Sequence, residues 1–284
     1  MTRVPGSVGV MLELNDGTRL PAIGFGTYPL RGDAGTDAVL SALDVGYRLI
    51  DTAVNYGNED AVGRALARTS VPREDVVVTT KVPGRDHGFD ETLASFDRSA
   101  AALGLDVVDL YLIHWPNPSV DRFVETFRAM VRLKEEGRVR SVGVSNFTPE
   151  YLERVADATG VMPAVNQVEM HPFFPQVELR AFHAEHGIVT EAWSPLGKAA
   201  PVKEAGPVAE AARVHGVTPA QVILRWHLQQ GVVPIPKSGD PVRQRENFDL
   251  DGFTLAEEEV AAITALGRPD GRLFGGDPRT HEEM

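Results

Sequence analysis

The fold is decided by residues 76–114, VVVTTKVPGRDHGFDETLASFDRSAAALGLDVVDLYLIH. Apolar runs rich in Val, Ile and Leu lie at 76–81 and 108–113, and between them a segment of helical period, 90–103, ends at Gly104. A buried strand, a helix and a second buried strand in this order are typical of a βαβ unit in a parallel sheet. This stretch therefore predicts one unit of an α/β fold.

The same alternation continues through the chain and predicts a (β/α)8 TIM barrel, because eight strands are the number that closes such a barrel. The predicted strands lie near 22–25, 48–51, 76–81, 108–113, 140–144, 164–168, 188–193 and 232–235. The predicted helices lie near 33–45, 58–69, 90–103, 121–136, 150–158, 177–186 and 219–230, with an extra C-terminal helix at 254–266. An N-terminal β-hairpin, with its turn at residues 15–17, is expected to plug one barrel end. We expect residues 1–284 to form a single barrel domain.

Composition narrows the class of function before any motif is considered. The chain has 284 residues, 43% of them hydrophobic, and a net charge of −12, which disfavours binding to nucleic acid or to anionic membranes. It has no cysteine, so it offers no disulfides and no thiolate metal site, and we predict no metal. Residues 1–20 carry Glu13 and Asp16 and do not resemble a secretory signal. We expect a cytoplasmic monomer.

The predicted strands end almost entirely in polar residues. In a closed βα barrel the active site is assembled at the C-terminal ends of the strands, so this ring of polar ends predicts an enzyme site. The residues at these ends are Asp51, Lys81, His114, Ser145, Asn146, Gln167, Glu169, Trp193, Ser194, Lys237 and Ser238.

Four residues of this region form a chemical unit when Tyr56 is added from the loop after strand 2: Asp51, Tyr56, Lys81 and His114. When a hydride reaches a carbonyl carbon it leaves an alkoxide, which must be protonated at neutral pH. Lys81, held charged by Asp51, is expected to lower the pKa of the Tyr56 phenol, and His114 can orient the carbonyl oxygen. The set predicts carbonyl reduction with a tyrosine proton donor.

Each of these residues has a plain structural alternative when it is considered alone. Asp51 could cap the helix that begins near Asn58, Lys81 could be a solvated loop residue, His114 a core histidine and Tyr56 a surface aromatic. Their joint placement at three successive strand ends favours the catalytic interpretation.

Nearly the whole chain resembles the aldo-keto reductase family, and three ordered motifs carry the resemblance. They are GYRLIDTA at 46–53 followed by Tyr56, Glu59 and Gly63; VGVSNF at 142–147; and IPKS at 235–238 followed by Arg243 and Asn247. Lys81 in VTTK and His114 in LIHWP add to them. The short loop after His114 is similar to bacterial 2,5-diketo-D-gluconate reductases.

The resemblance implies NADPH as cofactor and a role for each matching position. Tyr56 is then the proton donor, Lys81 and Asp51 its tuning pair, and His114 the carbonyl-orienting group. The implied cofactor-binding residues are Ser145, Asn146 and Gln167 at the nicotinamide carboxamide, Trp193 stacked on the nicotinamide ring, Ser194 and Leu196 beside it, Lys237, Ser238 and Arg243 at the 2'-phosphate, and Glu246 and Asn247 near the adenine. The alternatives are a core aromatic for Trp193 and a solvated basic patch, which Arg245 would share, for the phosphate group.

Tyr28, Val54 and Trp115, with the tail around Phe274, are the expected substrate-pocket walls, which suit small or aromatic aldehydes and some ketones. The chain lacks the G-x-G-x-x-G pattern, because Thr27, Tyr28 and Pro29 follow Gly26. We expect Gly24 and Gly26 to permit a tight turn or a close approach to the cofactor.

Two other functions remain open from the sequence. A barrel glycosidase could use Asp51 and Glu169 as a pair of carboxylates about 5 to 10 Å apart, but it leaves Lys81 and Tyr56 without a role. A non-catalytic NADPH-binding sensor or interaction subunit could share the same fold, since fold does not prove function.

Overall fold

A computed structural model describes residues 7–198 and 201–283. Eight parallel strands, β3 to β10, pair with one another in chain order. They are β3 Phe25–Gly26, β4 Leu49–Asp51, β5 Val77–Val82, β6 Val108–Ile113, β7 Val139–Ser145, β8 Val165–Glu169, β9 Val189–Trp193 and β10 Val233–Ile235. The predicted strands are confirmed, with bounds that differ by up to three residues.

The barrel closes between its first and last strands through backbone hydrogen bonds. The Gly24 amide donates to the Pro234 carbonyl, and the Gly26 amide donates to the Pro236 carbonyl, each at 3.0 Å. A Cβ on Gly24 would lie 2.5 Å from Cδ1 of Ile235, and a Cβ on Gly26 would lie 3.2 Å from the Ile235 carbonyl oxygen, so both glycines lie close against the last strand. The close approach that these glycines permit is therefore an approach to the last strand.

Ten α-helices lie within the described residues, and most of them follow a barrel strand. They are α1 Gly32–Val45, α2 Glu59–Arg68, α3 Phe89–Leu103, α4 Phe123–Glu135, α5 Pro149–Thr159, α6 Val177–Glu185, α7 Gly206–His215, α8 Pro219–Gln229, α9 Pro241–Phe248 and α10 Glu257–Thr264. Helices α7 and α9 were not predicted. The segment of α9 has few apolar residues, so its helical period is weak, and it begins at Pro241 behind the capping carboxylate of Asp240.

The N-terminal hairpin, β1 Met11–Glu13 and β2 Arg19–Pro21, is antiparallel and covers the N-terminal end of the barrel. Leu14 and Leu20 are buried in the cluster that fills the barrel interior, together with Leu110 and Val165. The predicted plug is confirmed. Because apolar side chains fill this end of the barrel, a functional site can form only at the opposite end, where the strands terminate.

A larger apolar layer lies between the strands and the helices. Residues such as Val78 and Val142 on the outer faces of the strands pack against Phe96, Phe127 and other helix residues. Burial of this layer holds each strand in register and thereby fixes where its terminal side chain lies. Among the described residues, no helix is long and apolar enough to cross a membrane.

Candidate active site

An ion pair between Asp51 and Lys81 lies at the centre of the barrel mouth. In the sheet Asp51 is the partner of Thr79, so Lys81 lies two residues further along β5 on the same face. Its Nζ is 2.7 Å from both carboxylate oxygens of Asp51 and 3.0 Å from the Thr52 carbonyl oxygen. Burial alone would lower the pKa of Lys81, but Asp51 and Tyr56 raise it above 10.5. The ammonium group is therefore held charged in the protein interior.

Tyr56 lies above this pair on a short 3-10 helix, Val54–Tyr56. Its hydroxyl accepts a hydrogen bond from Lys81 Nζ at 3.4 Å. The expected lowering of its pKa is wrong in its net direction: burial raises the pKa of Tyr56 to about 12, and Lys81 offsets only part of this rise. The phenol thus keeps its proton at neutral pH, which suits a donor, and Lys81 stabilises the phenolate that remains after transfer.

His114 follows β6 and completes the group of four. Its ring packs edge-on against the ring of Tyr56, with centroids 5.6 Å apart. Its Nδ1 lies 2.7 Å from Oε1 of Glu283, a contact that the sequence did not predict. The structure therefore brings together all four predicted catalytic residues and adds the side-chain carboxylate of Glu283.

Buried polar groups continue from Asp51 across the barrel. Gln167 Nε2 donates to Asp51 Oδ2 at 2.8 Å and to Glu191 Oε2 at 2.7 Å. Burial raises the pKa of the Glu191 carboxyl to about 8, and the charge of Asp51 adds to this rise. Glu191 was missed because it precedes the strand end by two residues, although its shared face with Trp193 places it inside the barrel.

We expect Glu191→Gln to make stability less dependent on pH. A carboxyl whose pKa is 4.5 when exposed and about 8 when folded contributes its full stability below pH 4.5 and loses it as pH rises through 8. Each unit of pKa corresponds to about 1.4 kcal/mol, so the loss amounts to several kcal/mol. Chemical unfolding at pH 5, 7 and 9 measures it, with Glu150→Gln on the exposed face of α5 as control. Parallel curves for Glu191→Gln and the unmodified protein would contradict this assignment.

The predicted nicotinamide-binding residues meet at the ends of β7, β8 and β9. The Ser145 hydroxyl donates to the Gln167 carbonyl at 2.7 Å, and Asn146 Nδ2 donates to the His114 carbonyl oxygen and to Ser145 Oγ, each at 3.0 Å. Trp193 Nε1 donates to Asn146 Oδ1 at 2.9 Å, which fixes the plane of the indole ring. Ser145 and Asn146 are therefore held next to Trp193.

These residues fit a nicotinamide carboxamide. Both hydrogens of Gln167 Nε2 are used by Asp51 and Glu191, so its Oε1 is the atom left for the amide of the cofactor. The half-buried Trp193 offers an aromatic face of fixed orientation. Ser194 follows with a φ of 49° and begins a turn closed by the Gly197 amide, and Leu196 packs under this turn between the two main apolar clusters.

The predicted phosphate-binding residues lie at the start of α9. Ser238 is buried and its Oγ accepts from the Asp240 amide, while Lys237 is exposed and Arg243 is 75% exposed. The nearest carboxylate to Arg243 is Asp240 at 4.0 Å, a weak pairing that leaves the guanidinium accessible. Two exposed cations and a hydroxyl next to a helix N-terminus fit a phosphate dianion.

The two residues expected near the adenine lie further along α9. Glu246 accepts a hydrogen bond from the Thr218 hydroxyl at 2.7 Å, so it also joins α9 to the capping residue of α8. Asn247 is buried.

Of the predicted substrate-pocket walls, Tyr28 and Val54 lie next to Tyr56. Tyr28 is 56% exposed and its ring lies 5.2 Å from that of Tyr56, and Val54 is half-buried on the same 3-10 helix. Trp115 is covered on one side by the His281 ring at 4.2 Å. Phe274 packs against Trp193, with 5.3 Å between ring centroids, so it lies on the Trp193 side of the mouth.

The carboxylate pair of the glycosidase alternative is not available for hydrolysis. Both oxygens of Asp51 are used by Lys81 and Gln167. Glu169 is buried, and its Oε1 accepts from the Leu273 amide at 2.6 Å and contacts His171 at 3.1 Å. Glu169 therefore anchors the C-terminal tail.

A buried lysine next to a protonated phenol at the mouth of a parallel barrel is the arrangement that carbonyl reduction requires, so the fold and the site define an oxidoreductase. Comparison with known proteins agrees: the profile of the aldo/keto reductase family matches residues 22–268. The chain belongs to this family, and it is an NADPH-dependent oxidoreductase.

Individual relatives match over almost their full length. The chain is 57% identical to 2,5-diketo-D-gluconic acid reductase B of Corynebacterium sp. (strain SHS752001), covering 96% of this chain and 98% of the relative. It is 45% identical to the 9,11-endoperoxide prostaglandin H2 reductase of Trypanosoma cruzi (strain CL Brener), with 94% of each covered. The crystal structure of the Gox0644 D53A mutant in complex with NADPH superposes with a TM-score of 0.92 at 45% identity, covering 96% of this chain and 99% of that one.

Proposed function

We propose that the protein reduces small and aromatic aldehydes and some ketones to alcohols, with Tyr56 as the general acid. The observation that carries this proposal is the position of Lys81 Nζ, 2.7 Å from the Asp51 carboxylate and 3.4 Å from the Tyr56 hydroxyl. A cation held this close stabilises a phenolate, and a site that stabilises the phenolate favours proton release to an alkoxide.

The proposed reaction balances without any proton source other than these residues. When bound, NADPH supplies a hydride to the carbonyl carbon. The Tyr56 hydroxyl gives its proton to the carbonyl oxygen as the C=O double bond becomes single, and the phenolate that is left lies next to Lys81. His114 positions the carbonyl oxygen by a hydrogen bond, and the product is the alcohol.

Ser145, Asn146, Gln167 and Trp193 are proposed to hold the nicotinamide, and Lys237, Ser238 and Arg243 the 2'-phosphate. The fit of donors and acceptors described above supports this assignment, and so does the Trp193 ring held by Asn146. The partly exposed walls around Tyr28 and Trp115 favour broad tolerance for the group attached to the carbonyl.

Oxidation of NADPH in the presence of 4-nitrobenzaldehyde, followed at the nicotinamide absorbance band, tests the proposal. We expect turnover, and we expect a panel of neutral aldehydes to react faster than the matching ketones. Quenching of tryptophan fluorescence by NADPH without turnover on any member of the panel would support the non-catalytic sensor instead.

Arg243→Ala is expected to raise the KM for NADPH roughly tenfold or more, because a hydrogen bond to a charged group contributes about 1.5–3 kcal/mol. The KM for NADH should change little, since NADH lacks the 2'-phosphate. Arg245→Ala, an exposed arginine on the same helix, is the matched control. Equal effects of Arg243→Ala on both cofactors would place the phosphate elsewhere.

A further inference from the structure

The C-terminal tail returns over the barrel mouth and brings Glu283 to His114. Oε1 of Glu283 lies 2.7 Å from His114 Nδ1 and accepts a hydrogen bond from Asn55 Nδ2 at 2.6 Å. The two side chains are only 12% and 14% exposed. A carboxylate from residue 283 therefore joins a histidine at residue 114 inside the site.

The tail is fixed in this position by its backbone. The Glu283 amide donates to Asn117 Oδ1 at 3.3 Å, and Asn117 Nδ2 donates back to the Glu283 carbonyl oxygen. A Cβ on Gly84 would collide with that carbonyl oxygen, so only glycine permits the approach. Glu282 adds a hydrogen bond from the Ser119 amide at 2.8 Å. The position of the Glu283 carboxylate is thus set by contacts with two loops of the barrel mouth.

The Glu283 carboxylate is ionised in this position. Burial would raise its pKa, but the hydrogen bonds of His114 and Asn55 outweigh burial and hold the pKa of Glu283 below 4.5. An ionised carboxylate can only accept hydrogen bonds. Whatever faces Oε1 must therefore present a proton.

The chemistry of imidazole gives this contact a consequence for catalysis. A neutral imidazole carries a proton on one nitrogen and accepts at the other, whereas an imidazolium donates from both. Within the described residues Glu283 is the carboxylate that contacts Nδ1 of His114, at 2.7 Å. When the proton stays on Nδ1, Nε2 is the nitrogen left to face the substrate. In the neutral ring Nε2 then carries no proton, so it can donate a hydrogen bond to a carbonyl oxygen only when the ring is an imidazolium.

We propose that Glu283 is a positioning residue that keeps Nδ1 of His114 protonated and balances the charge of its imidazolium, so that Nε2 donates to the substrate carbonyl. This inference rests on the proposed role of His114 in reduction. It assigns the tail segment around Glu283 a part in catalysis as well as in covering the cleft.

Glu283→Gln tests the inference, because the amide keeps the size of the side chain and the backbone contacts of residue 283. We expect kcat to fall roughly tenfold or more, by analogy with the range seen when the outer hydrogen-bond partner of a metal-binding histidine is removed. NADPH affinity should stay unchanged, and Glu283→Asp should restore part of the activity. Glu282→Gln removes the charge of the neighbouring tail residue, which contacts the Ser119 amide and not His114, and should leave kcat unchanged.

A double-substitution cycle distinguishes this inference from the proposed function. If Glu283 acts through His114, adding Glu283→Gln to His114→Gln should have no further effect on kcat. Additive losses, or a Glu283→Gln variant with normal kcat, would overturn the role of Glu283 alone. Full activity of His114→Gln by itself would instead overturn the proposed role of His114.

The protonation of His114 can be observed directly by nitrogen NMR of histidine-labelled protein, with His114→Gln identifying the signals. We expect a protonated Nδ1 in the unmodified protein and a change of that signal in Glu283→Gln but not in Glu282→Gln. An unchanged His114 signal in Glu283→Gln would contradict the inference even if activity fell, because the effect would then be structural.

Discussion

Tyr56→Phe should abolish most carbonyl reduction while NADPH binding stays nearly unchanged. The substitution removes the hydroxyl that faces Lys81 and keeps the ring, whose contacts with Tyr28 and His114 hold the 3-10 helix in place. Loss of a positioned general acid lowers rates by about 10²–10⁴-fold. Stopped-flow measurement of a single turnover with 4-nitrobenzaldehyde, beside tryptophan quenching by NADPH, separates the chemical step from binding.

Tyr151→Phe is the control for this experiment. Tyr151 lies on α5 and packs against Phe123 and Phe147, away from the group of four. It should keep full activity, since removal of its hydroxyl takes nothing from the barrel mouth. A Tyr56→Phe variant that retains reduction would mean that another group supplies the proton, and one that loses NADPH affinity would mean that Tyr56 holds the cofactor.

The protonated state of the Tyr56 phenol at neutral pH agrees with its proposed role as a proton donor. Because burial raises the pKa of the phenol to about 12, the proton is present throughout the neutral range and is released only when an alkoxide develops next to it. The sequence led to the opposite expectation, since it shows that a lysine is near but not how far the surrounding protein shields the phenol from water. Burial depends on the closure of the whole mouth, to which residues distant in sequence contribute.

Strand periodicity explains why much of the site could be predicted. Side chains alternate along a strand, and the strands of a parallel barrel all end at the same rim. Once the strands are known, Lys81, His114 and Gln167 are therefore expected to lie close together. Glu191 could have been found by the same rule, as the residue two positions before Trp193.

The C-terminal tail could not be predicted in this way. The tail has no regular hydrophobic period. Its path depends on individual hydrogen bonds, such as the one from the Glu283 amide to Asn117 Oδ1 and the one from the Leu273 amide to Glu169 Oε1. Helix α9 was missed for a related reason, because it is held by polar contacts: Gln244 Nε2, for example, donates to the Ala38 and Ser238 carbonyls. Polar contacts at irregular spacing leave no pattern in the sequence.

Removal of the Lys81 charge is the second change from which we expect a large loss of activity. The single substitution Lys81→Met does not separate this loss from a loss of stability. The substitution would leave the Asp51 carboxylate buried without its cation, and breaking a buried ion pair in this way costs about 3–5 kcal/mol of stability. A fall in activity could then reflect damage to the barrel. The double variant Asp51→Asn with Lys81→Met removes both charges, and Asn can still accept the hydrogen bond from Gln167 that Asp51 accepts.

We expect the double variant to recover most of the stability that Lys81→Met loses, but not the activity. Without the ammonium group 3.4 Å from the Tyr56 hydroxyl, the phenolate left by proton transfer is not stabilised, so kcat should stay reduced by about 10²-fold or more, as when a transition-state hydrogen-bond donor is removed elsewhere. Thermal unfolding and NADPH oxidation measured on both variants give the comparison. If the double variant regained activity together with stability, Lys81 would have a structural role only, and Tyr56 would need another source of stabilisation for its phenolate.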